Sequence, residues 1–280
     1  MPVPLPAFAE THFVLLHANG YPAGCYTQFI HHLKNHAQVT APDLLTADVC
    51  PADQRWPQMD AQVAQTVAGL PQKKIILVAH SMGGYLAMRE AVRNDKVWAV
   101  VLLDSPLATG WRSVLLNTVN RLGLRYKAGP APIANRRRFE WPNIEAAREF
   151  FVNKWHVRTW APGVLDDYLK HGLTARADGS VCLRVPRETE RDIYAYLPID
   201  WGQEAYKVMR RRGIPLGFIA GKQSREMQWG GYAINRQLFA PRFAELDTSH
   251  LIPFDQPKAC AEAVVAMCAL LGVDLQNAYS

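Results

Sequence analysis

The sequence has no apolar run approaching the ~20 residues that a membrane helix needs. It has no C-x-x-C pair, and its five cysteines (Cys25, Cys50, Cys182, Cys260 and Cys268) are odd in number and widely spaced. A disulfide framework and a zinc site are therefore disfavoured. No internal repeat and no low-complexity tract occurs, which sets aside repeat architectures. The opening Met1-Pro2-Val3-Pro4-Leu5-Pro6 lacks the basic start and apolar segment of a signal peptide. Together with the unpaired thiols, this leads to the expectation of a reducing, cytoplasmic location. Strong charge is also missing. Lys and Arg number 31 against 25 Asp and Glu, and a net +6 is no nucleic-acid footprint.

What is present is ordinary globular composition, with 49 % apolar and 20 % charged residues over 280 positions. That length fits one α/β domain with an insertion, or two small domains.

The first strand is expected at Thr11–His17, ending at Asn19-Gly20. A helical stretch from about Tyr26 to His36 leads to a short strand, Gln38–Asp43. Met59, Val63, Val67 and Leu70 place a helix over about Trp56–Leu70, stopped by Pro71. Ile75–Ala79 and Val97–Leu103 are fully apolar, as central parallel strands are, with a helix over Met82–Arg93 between them. Strand and helix alternate, which predicts a doubly wound α/β sheet.

From about Ser105 to Arg212 no apolar strand of that kind occurs. Helical pieces such as Ile144–Trp155 and Pro162–Leu173 fill the segment, with five of the eight tryptophans. The strand pattern returns at Ile214–Ala220, and Gly231–Phe239 reads as helix. Arg242–Leu246 reads as the last strand, and Pro257–Leu271 as a C-terminal helix. The expected division is an α/β core at 1–105 and 213–280 and a helical insertion at 106–212. The insertion holds 19 Lys and Arg against 11 Asp and Glu, so the positive charge belongs to it.

The chemistry-bearing motif is Val78-Ala79-His80-Ser81-Met82-Gly83-Gly84, at a strand-to-helix junction. A nucleophile there needs a strained tight turn, with small residues two before and two after it. Gly83 satisfies this fully, and Ala79 keeps the position small. His17-Ala18-Asn19-Gly20-Tyr21-Pro22 lies upstream, and Asp247-Thr248-Ser249-His250 follows the last expected strand.

With these motifs in this order, the chain resembles the α/β-hydrolase family over about residues 10–272. The resemblance implies the α/β-hydrolase fold with a helical cap (lid), and a serine esterase with a catalytic triad. Ser81 would be the nucleophile, His250 the base, and the Asn19 and Met82 amides the oxyanion hole. A family branch uses the Asn19-position side-chain amide, but with an aspartate nucleophile; Ser81 disfavours dehalogenase and epoxide-hydrolase chemistry. The family's usual acid position falls on Ser224, which cannot stabilise an imidazolium. A second family solution places the acid on the strand after the nucleophile's helix, and this selects Asp104. Glu226 is the alternative acid. Many members open with an antiparallel strand pair, and too few residues precede Thr11 for it. About six strands, mainly parallel, are expected.

No cofactor and no metal are implied. The expected partner is a small-molecule ester, with no nucleic acid and no membrane span; the oligomeric state is left open. C–C-bond hydrolysis, thioester hydrolysis or acyl transfer on the same triad stay open, as does a non-catalytic ligand-binding member of the fold. His17 and His80 read as loop-holding residues, and His31, His32 and His36 as helix surface. Asp43 reads as a loop partner and Asp255 as a helix-start residue. Arg136-Arg137-Arg138 reads as a solvated face. The tryptophans of the insertion could line an apolar pocket or pack its core. Its basic charge leads to the expectation of a preference for anionic esters.

Overall fold

In a computed structural model, which describes residues 11–47, 49–72 and 74–273, the alternating apolar runs become one parallel sheet. The chain runs β1 (Thr11–Leu16), α1 (Thr27–Leu33), β2 (Gln38–Thr40), α2 (Arg55–Gly69), β3 (Lys74–His80), α3 (Met82–Arg93) and β4 (Val97–Leu103). It continues with α4 (Trp111–Arg121), α5 (Ala131–Asn135), β5 (Glu140–Trp141), α6 (Ile144–Val152), α7 (Val164–His171), β6 (Leu173–Ala175), β7 (Val181–Leu183), α8 (Arg187–Ala195) and α9 (Ile199–Arg212). It closes with β8 (Leu216–Gly221), α10 (Arg225–Gly230), α11 (Tyr232–Phe239), β9 (Phe243–Leu246), α12 (Ile252–Asp255) and α13 (Pro257–Leu270).

The main sheet has six strands in the order β2-β1-β3-β4-β8-β9, and each neighbouring pair is parallel. Successive side chains of a strand point to opposite faces, so apolar runs supply two cores. Phe13, Leu15, Ile76, Val78, Val101 and Ile219 pack on one face with α1 and α13. Val14, Leu16, Leu77, Ala79, Leu102 and Phe218 pack on the other with α2, α3 and α9. Helices cover both faces because both faces are apolar. In α2, Met59, Val63 and Val67 recur four apart on one buried stripe. α9 ends where Gly213 takes a left-handed conformation that glycine adopts without steric cost.

Between β4 and β8 the expected helices form, but three short strands accompany them as an antiparallel sheet, β5-β7-β6. These strands are two or three residues long. Too little alternation exists in so short a span for the sequence pattern to reveal it.

The sheet order also positions the site. From β1 the chain moves outward to β2, then crosses back to β3 on the other side. Loops leaving β1 and β3 part at this reversal, and the crevice outside the carboxyl ends of the strands opens there.

Candidate active site

Ser81 joins the end of β3 to the start of α3 with φ 53° and ψ −116°. Ser81 and Asp104 are the two non-glycine residues with positive φ among the described residues. Such conformations cost energy and persist where their surroundings over-determine them. Here β4 and the loop after it supply that restraint: Ser81 N–H donates to Leu103 O at 3.0 Å, and Ser105 Oγ donates to Ser81 O at 2.6 Å. Close packing does the rest. A Cβ on Gly83 would lie 2.4 Å from Leu16 O, and one on Gly84 would lie 2.1 Å from Ser105 Oγ. The methyl of Ala79 is accommodated in the core beside Leu16 and Met82.

Asp104 leaves the carboxyl end of β4 and is completely buried. Its Oδ2 accepts from Gly221 N–H at 2.7 Å. Its Oδ1 accepts from Ser224 Oγ at 2.6 Å and pairs with His250 Nδ1 at 2.6 Å. Burial raises the Asp104 carboxyl above the usual range, against the hydrogen bonds from His250, Ser224 and Gly221. Burial alone would lower His250, but the hydrogen bond and charge of Asp104 outweigh it, so the ring titrates above its ordinary value. Glu226 Oε2 lies farther from the same nitrogen, at 3.9 Å, on a half-exposed side chain.

The loop carrying His250 is tied on both sides. Ser249 N–H donates to Asp255 Oδ2 at 2.7 Å, and Leu251 N–H donates to Ser249 Oγ at 3.1 Å. Asp255 lies within α12 and also accepts from Thr159 Oγ1 at 2.7 Å. His250 O accepts from His80 Nε2 at 2.9 Å, so His80 Nδ1 is the acceptor for the Tyr26 hydroxyl at 2.7 Å. Tyr26 Oη in turn accepts from Ala18 N–H at 2.9 Å. Burial holds His80 well below the ordinary histidine range, so this relay is neutral. It links the Asn19 loop to the His250 loop through the residue before Ser81, and the His80 and His250 rings lie 5.0 Å apart.

His17 also acts as a fixed neutral ring. Its Nε2 accepts from Leu44 N–H at 2.8 Å, which leaves Nδ1 to donate to Ala18 O at 2.8 Å. Asn19 is buried, and its side-chain amide donates to Glu190 O at 3.0 Å. Met82 opens α3, where the first N–H groups have no intrahelical acceptor. Asn19 and Met82 share a small cavity of about 90 Å³ with the aliphatic side chains of Leu44, Leu45, Val185 and Ile193. Arg184 is the charged side chain in its wall and is neutralised by Asp43 at 2.7 Å. Asp43 also accepts from Ala23 N–H at 2.8 Å, the loop-holding part expected of it.

The expectation for the arginine run needs correction. The Arg136–Arg138 run is only partly a solvated face. Arg137 forms a largely buried pair with Glu190 beside Gly20, where a Cβ would lie 3.2 Å from the Glu190 carboxylate. The tryptophans of the insertion divide. Trp141 and Trp160 are buried, whereas Trp111 and Trp155 are exposed, and none lines the small cavity. Tyr26, Ser105 and Glu190 are not among the expected site residues. Ser105 had one legible signal, its place directly after Asp104. Tyr26 acts through the Ala18 N–H and the His80 ring, and Glu190 through its own carbonyl, so neither carries a motif.

The profile of the Alpha/beta hydrolase family matches residues 13–263. No curated protein matches the chain in sequence. Among solved structures, a thioesterase domain from the curacin biosynthetic pathway is similar at TM-score 0.69 and 16 % identity, covering 91 % of each chain. An M. tuberculosis esterase is similar at 0.65 and 17 %, covering 93 % of this chain and 86 % of its own. An enol-lactonase from Burkholderia xenovorans LB400 is similar at 0.61 and 17 %, with coverage of 93 % and 92 %. Identities this low speak for the fold alone.

Proposed function

This chain belongs to the alpha/beta hydrolase family and is a hydrolase, and we propose that it cleaves carboxylic esters through a Ser81 acyl-enzyme. The observation that carries this reading is the contact between His250 Nδ1 and Asp104 Oδ1 at 2.6 Å, beside the strained turn of Ser81.

Ser81 Oγ attacks the acyl carbon while His250 Nε2 takes its proton. Nδ1–H stays on Asp104, which stabilises the imidazolium. The carbonyl electron pair moves onto oxygen, where the Asn19 and Met82 amides receive it. Each such donor contributes roughly 2.7–4 kcal/mol to the transition state. Collapse expels the alkoxide, which takes the proton from His250. Water then repeats the sequence on the acyl-enzyme, releasing the acid and restoring Ser81. The aliphatic cavity beside Asn19 and Met82 supports an apolar acyl group.

Residues 106–212 serve as the cap in this reading. Glu190 holds Asn19, and Val185 and Ile193 complete the cavity wall. The paired Arg184 gives no support to a preference for anionic acyl groups. A cytoplasmic location is part of the reading and rests on the five free thiols. No helix among the described residues is long and apolar enough to cross a membrane.

A series of p-nitrophenyl esters, a thioester and a vinylogous diketone tests the reaction class. Turnover of the esters that disappears in Ser81→Ala supports it. Cleavage of the diketone or thioester alone would replace ester hydrolysis by another reaction at this site.

A further inference from the structure

α4 buries none of its eleven residues. Trp111, Val114 and Leu115, three of its five exposed positions, are nonetheless apolar, and Leu122 just past its end extends them. Trp111 is 66 % exposed, and Val114, Leu115 and Leu122 are also largely open to solvent. With Thr118, these lie at i, i+3, i+4, i+7 and i+11, which is one helical stripe. The stripe faces away from both cores. Residues 111–127 also carry Arg112, Arg121, Arg125 and Lys127 with no Asp or Glu. Monomeric soluble surfaces seldom leave such a contiguous apolar face uncovered.

The patch continues onto α10. Arg112 Nε donates to Trp229 O at 2.9 Å, and its guanidinium stacks 4.6 Å from the Trp111 ring. Trp229 is 61 % exposed. The same short helix α10 carries Glu226, 3.9 Å from His250 Nδ1. The patch therefore shares α10 with Glu226, on the His250 side of the candidate active site.

From this arrangement we propose that α4, with Trp229, docks the chain on an anionic lipid surface. The apolar stripe enters the headgroup boundary, and Arg121 and Lys127 meet lipid phosphates. An exposed helix with Trp and Leu along one stripe and basic residues around it is the pattern of an interfacial helix that lies on a bilayer without spanning it. Charge decides between a lipid surface and a second copy. A two-fold contact would set this acid-free basic segment against itself, whereas an anionic surface complements it. Nearby acids do not cancel it. Asp200 accepts from Asn117 off the stripe, and Glu226 faces His250. Docking would serve the proposed esterase by bringing it to lipid-dissolved esters. It rests on that reading for its purpose, not for its measurement.

The test is sedimentation of full-length Ser81→Ala with phosphatidylcholine vesicles and with mixed phosphatidylcholine–phosphatidylglycerol vesicles. Binding should favour the anionic vesicles and weaken as salt rises. Adding Arg121→Gln and Lys127→Gln should lower partitioning roughly 30-fold, from the attraction of two basic residues to an anionic surface. Adding Trp111→Ser and Leu115→Ser should also release the protein. In the Ser81 enzyme these same replacements should leave hydrolysis of a short soluble ester unchanged, since α4 packs no buried residue. Absence of binding to anionic vesicles, or equal binding by the variants, overturns the proposal. So does a dimer in light scattering that Trp111→Ser/Leu115→Ser dissolves. Vesicle binding with no soluble-ester turnover by the Ser81 enzyme would instead remove the catalytic reading and leave docking standing.

Discussion

Ser224 donates its hydroxyl to Asp104 Oδ1 at 2.6 Å, the same oxygen that pairs with His250. Ser224 stands where the family's acid is usually found, and here it supports an acid from the neighbouring strand. Its oxygen also accepts from Met227 N–H at 3.0 Å as the N-cap of α10. Ser224→Ala therefore removes a cap and a carboxylate partner together. Denaturant titration should show a loss of about 1 kcal/mol for the cap, and kcat should fall far less than on loss of Asp104.

Asp104→Asn should lower kcat by about 10⁴-fold, because an amide no longer stabilises the imidazolium. Glu226→Gln should cost little by comparison, since its oxygen lies 3.9 Å from His250 Nδ1 and Asp104 lies at 2.6 Å. Steady-state kinetics on one soluble ester compares the two. A nearly unimpaired Asp104→Asn beside an inactive Glu226→Gln would move the acid to α10.

The pH profile follows from the raised His250. The base must be neutral, so kcat/KM should fall as the medium becomes more acidic, through a pKa above the ordinary 6.5. Removing the Asp104 charge leaves burial, which lowers the ring, against the weaker upward pull of Glu226 and Asp255. The residual activity of Asp104→Asn should therefore persist to lower pH than that of the parent. An unmoved limb would mean that the profile reports another group.

Gly83→Ala should fold poorly. Its Cβ would meet Leu16 O at 2.4 Å, a backbone atom of a central strand that cannot rotate away. Overpacking of this kind costs about 1–3 kcal/mol, readable as a lowered Tm. A Tm equal to the parent's would show that α3 can shift away from β1.

Much of the fold is legible because the central strands are buried on both faces. β1, β3, β4 and β8 stand out as apolar runs, with helical periodicity between them. α4 is not legible in that way, because its stripe faces solvent and lacks a partner in the core. The strands β5, β6 and β7 are too short to alternate. Among the candidate residues, Ser81, His250 and Asn19 declare themselves through local motifs. Asp104 emerges only through the family resemblance, whose second acid position falls at the end of the strand after the nucleophile's helix, 23 residues past Ser81. The Ala18–Tyr26–His80–His250 relay has no local signature, because two of its four members contribute backbone groups.

The central claim is that Ser81 is a nucleophile activated by His250 and Asp104. Its most direct test is intact-mass analysis after exposure to a fluorophosphonate, followed by peptide mapping. One adduct per chain is expected, on Ser81, absent in Ser81→Ala and slowed in Asp104→Asn. Equal labelling of the wild type and Ser81→Ala would contradict it.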